Sequence, residues 1–318
     1  MASAANNDPT PELLSDKNTR SLSIVRAKEW IVKSGLVGCT LFSVLITVSI
    51  VVLLMWQSVL FFNYDEVTVS KFLFGTKWNP LLGTSKSFGV LPLVCGTLLV
   101  TVIAMMVALP LGLITAIFLS EYAPRRLRAV LKPILEVLAG IPTVVYGFFA
   151  ISVITPFLKG IGIEVDFFNA LSAGIAVGIL CIPTVSSLSE DALQAVPTRL
   201  REAAYGLGGT KFDVAVKVVV PAALSGIVSA FLLAIARAVG ETMIVAMAAG
   251  ALPNLTPNPA NQIQTMTAYI TQVATGDVTN FGIEYYSIYA VAMTLFLVTL
   301  FITLMGNLIR TRFRESYQ

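Results

Sequence analysis

The chain has 318 residues, 56% of them hydrophobic and only 12% charged, with a net charge of +3. A soluble domain carries about 25% charged residues, so this composition excludes one and points to a protein built for lipid. Histidine is absent, which removes imidazole acid–base chemistry and the commonest metal ligand.

Residues 1–33 are polar, with Lys17, Arg20, Arg26, Lys28 and Lys33 behind a start rich in Asn, Pro and Ser. The expectation is a mobile cytoplasmic tail. The apolar run over 34–62 is far longer than the roughly 7–15-residue core of a cleaved signal, and is expected as an uncleaved first transmembrane helix. Residues 63–88 form a mixed polar loop assigned to the side opposite the tail. From Ser87 to Ser120 there is no charge, over more than the roughly 20 residues one crossing needs. Pro92 and Pro110 punctuate this run, so a short lead-in and a single tilted or kinked second crossing are expected.

Arg125, Arg126, Arg128 and Lys132 then mark a basic loop. A third crossing is expected from about 133 to 157, and a fourth from about 167 to 189, ending at Glu190 and Asp191. The fifth runs from about 222 to 250 and the sixth from about 285 to 309. Between them, 251–284 is a polar loop in which Ile263, Met266, Ile270 and Val273 line one face of a surface or re-entrant helix. The reading is an all-α, six-crossing membrane protein: a core over 89–310 carrying five of the crossings, closed by a cytoplasmic tail over 311–318. Cys39, Cys95 and Cys181 lie far apart inside apolar runs and read as small core residues. No cofactor, metal or nucleic acid is expected.

Six crossings place both termini on one side, and charge tests that placement. Segments assigned to the inside carry 16 Lys/Arg; those assigned outside carry Lys71, Lys77, Lys86 and Lys159. The positive-inside rule therefore puts both termini, and the stretch 197–221, in the cytoplasm.

That stretch, PTRLREAAYGLGGTKFDVAVKVVVP, is polar between two apolar segments. Pro197 suits the first turn of a helix, where its missing N–H costs nothing. Leu200, Ala203, Ala204 and Leu207 recur at helical spacing, with Arg199, Arg201 and Glu202 on other faces. Gly208 and Gly209 can take the left-handed conformation that ends a helix, and Thr210 with Asp213 resembles a capping box opening the next. The expectation is a short, stiff helix-turn-helix elbow. No phosphate-cradling Gly-x-x-x-x-Gly-Lys-Ser/Thr occurs, since Gly208-Gly209-Thr210-Lys211 has the wrong spacing. The chain is expected to be non-catalytic, with any ATP hydrolysed by another polypeptide.

Twenty of the 21 Lys/Arg lie outside the expected membrane depth; Arg237 does not. Glu241 is one helical turn further on, so both share a face of the fifth crossing. A lone charge at the bilayer centre costs about 2.5–3.5 kcal/mol on insertion scales, so both should face the bundle interior or water. Two readings stay open: the pair neutralises itself, or Arg237 offers its planar fork to a passing oxyanion while Glu241 holds it between passages. Glu136, at the start of the third crossing, is a further pathway candidate, or an interface residue paired with Lys132 four positions earlier.

The spacing of Glu202-Ala203-Ala204, Gly208, Val218, Val220 and Pro221 resembles the coupling loop of ABC-importer permeases, with valine in place of the usual isoleucine and leucine. Together with IPTVVYG at 141–147, RAVGET at 237–242 and TMTAYI at 265–270, it makes residues 20–312 resemble the PstC-like permeases of bacterial phosphate-specific ABC transporters, which are type I importer permeases. The sister permease is close in pattern, and the long loop between the first two crossings fits the PstC-like partner better. The resemblance implies ATPase coupling by Arg201, Glu202, Ala203, Ala204, Gly208 and Pro221, and the charged RAVGET helix points to phosphate, with Arg237, Glu241 and Glu136 as the translocation-pathway candidates. It also implies a heterodimer with a sister permease, two ATP-binding subunits, a periplasmic phosphate-binding protein, and phosphate as solute in the bacterial inner membrane. A permease for molybdate, sulfate or phosphonate is the nearest alternative; a secondary transporter, a channel or an intramembrane enzyme stands further off.

Overall fold

The computed structural model describes residues 11–65, 67–80, 86–276 and 282–312. The start of the expected tail, part of the loop at 81–85, the loop segment 277–281 and the C-terminal segment with Arg314 lie outside them. The chain divides into two compact units, Met1–Trp56 and Gln57–Gln318.

The first unit belongs to helix α1, Pro11–Phe62. Its apolar stretch Lys28–Phe62 is long enough to cross a membrane, and none of its most apolar window is buried. Trp30, Leu41, Phe42 and Trp56 stand exposed, as side chains solvated by lipid rather than by protein would. The described part of the expected tail, residues 11–33, is helical.

The second unit opens with a short cap. Helix α2, Val69–Phe74, and the strand pair β1, Trp78–Asn79, and β2, Ser87–Phe88, fold the loop back on itself; the strands are antiparallel with Trp78 opposite Phe88. Phe61, Phe72, Trp78 and Phe88 bury against one another edge to face, the arrangement that ring quadrupoles favour.

Helix α3, Leu91–Ile117, continues through a π-helical turn, Phe118–Tyr122, as one span. Pro92 falls in its first turn and Pro110 inside it, and the run forms one crossing, as expected. Helix α4, Arg125–Gly140, follows. Arg125, Arg126, Arg128 and Lys132 therefore sit on a helix rather than in a loop. The third crossing begins ten residues later than expected: the chain breaks at Ile141-Pro142, and the span runs Thr143–Gly160 through α5 (Thr143–Phe149), a π-helical turn (Ala150–Ile154) and α6 (Thr155–Gly160). Pro142 disfavours helix at the residue before it, which accounts for the break.

Helix α7, Ala170–Gln194, is the central post, with most of its length buried. It extends past the expected end, so Glu190 and Asp191 lie inside it. Gly174 and Gly178 let it approach α3 closely: a Cβ at either would stand 2.6 or 2.8 Å from Ile103 or Val107. In lipid no hydrophobic drive separates helix from solvent, so small-x-x-x-small contacts of this kind hold the pair through dispersion.

The elbow comprises α8 (Thr198–Gly206), α9 (Lys211–Val214), a π-helical turn (Ala215–Val219) and α10 (Val220–Ala222). It meets α11, Leu224–Val239, at 71°. The fifth crossing is therefore not one helix: α11 stops at Gly240, and α12, Met243–Ala248, starts anew. Helix α13, Met266–Thr275, buries Met266, Tyr269 and Val273. The apolar face expected there packs on the bundle, with Ile263 also buried and Ile270 partly so. Helix α14, Ile283–Arg312, is the last span. Among the described residues five helical stretches are long and apolar enough to cross, or six if the bent pair around Ala223 counts as one. Of the cysteines only Cys181 is buried; Cys39 is exposed and Cys95 half-buried.

Candidate functional site

Two polar constructions interrupt the apolar bundle. The first is the elbow. Gly208 has φ +83°, the left-handed region glycine occupies without strain, and it reverses the chain after α8. Thr210 opens α9 by accepting the N–H of Asp213 at 3.2 Å, and its hydroxyl donates back to the Asp213 carboxylate at 2.5 Å. Leu200 and Ala204 pack inward on Ala116, Leu193, Val196, Val214, Val219 and Ile227. Contrary to the periodic reading, Ala203 and Leu207 do not share that face: Ala203 is exposed within α8, and Leu207 lies beyond the helix end at Gly206. Leu207 is left 90% exposed at the tip and Phe212 64% exposed beyond the bend. Glu202 is exposed too, and Pro221 lies exposed in α10.

Arg201 turns the other way. Its guanidinium donates to the carbonyls of Leu193 and Val196 at 2.7 and 2.6 Å, and to the Glu121 carboxylate at 3.1 Å. Next to it, Glu190 is wholly buried and takes Arg128 Nε at 2.6 Å and Gln194 at 2.7 Å, with Lys132 Nζ 3.5 Å away. Lys132 also reaches Asp191 at 3.3 Å. Burial pulls the Lys132 ammonium down, but the charges and bonds of Glu190 and Asp191 outweigh it and hold the group above the ordinary lysine range. Lys132 is thus committed to α7, not to Glu136 as its spacing suggested.

The second construction surrounds Arg237, near the end of α11. The expected Arg237–Glu241 pair is not formed. Helix ends at Gly240, so the one-turn spacing that would put both on one face is broken. Glu241 instead caps α12, its carboxylate accepting the N–H groups of Met243 and Ile244 at 3.1 and 3.3 Å. Its carbonyl accepts the Thr267 hydroxyl at 2.7 Å, which joins the RAVGET and TMTAYI segments. Arg237 donates to the neutral hydroxyl of Thr184 on α7 at 2.9 Å, and among the described residues it has no carboxylate partner.

Thr184 lines a cavity of about 330 Å³ between α4, α7 and α11, along with Lys132, Glu136, Ser187, Glu190 and Leu233. Glu136 is exposed on that wall and forms no ion pair among the described residues. Sequence reading missed Thr184, Thr267 and Glu121 as polar partners, and took Glu190 only as a boundary. Of these, Glu121 had a signal: an acid at the end of an uncharged run, beside a basic cluster.

Residues 108–315 match the family described as binding-protein-dependent transport system inner membrane component. The probable ABC transporter permease protein YqgH of Bacillus subtilis is 33% identical over 304 residues, covering 95% of this chain and 96% of that one. The phosphate transport system permease protein PstC of Xylella fastidiosa is 32% identical over 286 residues, covering 82% and 84%. In fold, the chain is similar to a bacterial ABC transporter involved in import of the acidic polysaccharide alginate, with TM-score 0.63 at 14% identity, covering 93% of this chain and all of that one. It is also similar to the inward-facing MetNI methionine ABC transporter, with TM-score 0.53 at 20% identity, covering 71% and 95%. By both length and identity of these matches, the chain belongs to the binding-protein-dependent transport system inner membrane component family.

Proposed function

We propose that this chain is one half of the pore of an ATP-driven importer of inorganic phosphate. The observation that carries the reading is Arg237: a guanidinium inside an apolar bundle whose close partner, among the described residues, is a neutral hydroxyl. A structural arginine at that depth would be matched to a carboxylate, because unpaired charge is costly there. One kept on Thr184 can exchange that bond for two to a tetrahedral oxyanion, whose oxygens match its planar fork. The phosphate permease relatives make phosphate the favoured solute.

Glu241, spent on the α12 N–H groups, fixes the bend that aims Arg237 without neutralising it. Glu136 on the cavity wall repels an anion that lingers, so the solute is passed on rather than trapped. The elbow faces the cytoplasm with both termini, following the basic bias of that side, and the membrane is a bacterial inner membrane. Leu207 and Phe212, exposed at the bend beside Glu202 and Ala203, enter a cleft on an ATP-binding subunit; Gly208 and Pro221 keep the bend stiff. Two such subunits, a sister permease and a binding protein on the far face complete the assembly.

The test is uptake of radiolabelled oxyanions into vesicles holding the full complex. Phosphate should enter in an ATP-dependent, saturable way that excess sulfate and molybdate do not compete. Preference for molybdate or sulfate would replace the solute, and uptake without the ATP-binding subunits would refute the importer.

A further inference from the structure

The structure assigns a receiving element for the coupling stroke: the π-helical turn Phe118–Tyr122 at the end of α3, which both arms of the elbow grip. Before the bend, Arg201 on α8 donates to Glu121 at 3.1 Å. After it, the Lys211 ammonium of α9 stands 5.0 Å from the centre of the Tyr122 ring, within reach of a cation–π attraction. Adjacent residues of one turn are thus held from opposite sides of Gly208.

The α8 arm of the grip is built rather than incidental, while the α9 arm lies at the surface, where Lys211 and Tyr122 are exposed. The side chain of Glu121 is 7% exposed and that of Arg201 17%, so both are largely withdrawn from water, where a surface pair would count for little. Ser120 also donates to the Glu121 carboxylate at 3.0 Å, and the two carbonyls that Arg201 takes at the end of α7 fix its orientation. Arg201 therefore faces its own chain, while Leu207 and Phe212 face outward. Force arriving at the outward face has a short polar route into α3 and α7, the closely packed pair at the centre of the bundle. A π-turn suits the receiving end, because its extra residue loosens the helix ladder at one point and allows local shift without unfolding the span. Glu121 and Arg201 are positioning residues here; neither touches the solute.

The inference rests on the importer reading, so its test needs readouts with and without solute. In the complete complex reconstituted in vesicles, Glu121→Gln should lower phosphate uptake about tenfold while the ATP-binding subunits still co-purify and hydrolyse ATP. Tyr122→Leu, which removes the ring but keeps an apolar volume, should lower uptake by a smaller factor. Arg201→Lys combined with Glu121→Gln should lower uptake by less than the product of the two single effects, since coupled residues are not additive. Spin labels at Met106→Cys on α3 and Phe301→Cys on α14, with the three native cysteines replaced, report nucleotide-driven movement in the absence of any solute. That movement should shrink in Glu121→Gln. A Glu121→Gln complex that moves and transports like the wild type, or one that sheds its ATP-binding subunits, would overturn the inference. A wild-type complex that moves but imports no phosphate would instead remove the solute assignment and leave the grip standing.

Discussion

Arg201 and Arg237 are the same side chain in two different kinds of polar site. Arg201 is saturated: a carboxylate and two carbonyls lie within 3.1 Å of it. Arg237, deeper in the apolar bundle, has one neutral hydroxyl. Full pairing locks a guanidinium into the scaffold, whereas a single weak partner leaves it able to accept a charged visitor. The same contrast separates the carboxylates: Glu190 is buried among Arg128, Lys132 and Gln194, while Glu241 spends its charge on backbone N–H groups next to an arginine it does not touch.

Substitutions can break this contrast, and the largest effect is expected at Arg237. Arg237→Gln should reduce phosphate uptake in vesicles to background while the subunits still co-purify; uptake at the wild-type rate would reduce Arg237 to a structural role. Next comes the saturated side. Glu190→Ala leaves Arg128 without its carboxylate, and breaking a buried pair from one side costs about 3 kcal/mol, softened because Arg128 and Lys132 are partly exposed. The thermal midpoint of the purified complex should fall clearly, and an unchanged midpoint would mean that α4 is not held to α7 by this cluster.

Gly208→Val tests the bend between the two arms of the elbow. A side chain in the left-handed region costs about 1–2 kcal/mol, and a β-branched one tolerates it least. Transport per ATP hydrolysed should drop, and normal coupling would show that the reversal at Gly208 is dispensable. The smallest change is expected from Thr184→Val. Losing a net hydrogen bond of about 1 kcal/mol from the solute-free state should leave Arg237 more available, lowering the apparent KM for phosphate up to about fivefold. Loss of uptake as in Arg237→Gln would place Thr184 in direct contact with the solute.

Several elements were legible because they depend on local chemistry. The apolar runs, the single second crossing with Pro110 inside it, the positive φ of Gly208 and the Thr210–Asp213 cap all follow from residue type and spacing. Element bounds failed where a proline or glycine redirected the chain: Pro142 delayed the third crossing, and Gly240 split the fifth. The second failure mattered most, because the one-turn rule that paired Arg237 with Glu241 holds only while helix continues through both.

By itself, the sequence determined that this is a multi-pass membrane protein with a polar elbow and one deep arginine, since lipid tolerates only long apolar helices and makes every exception conspicuous. Which group each charge meets was decided by the tertiary structure. Thr184 lies 53 residues from Arg237 and Glu121 lies 80 from Arg201, and such partners are chosen by how α3, α7, α8 and α11 pack. No local period can encode that choice.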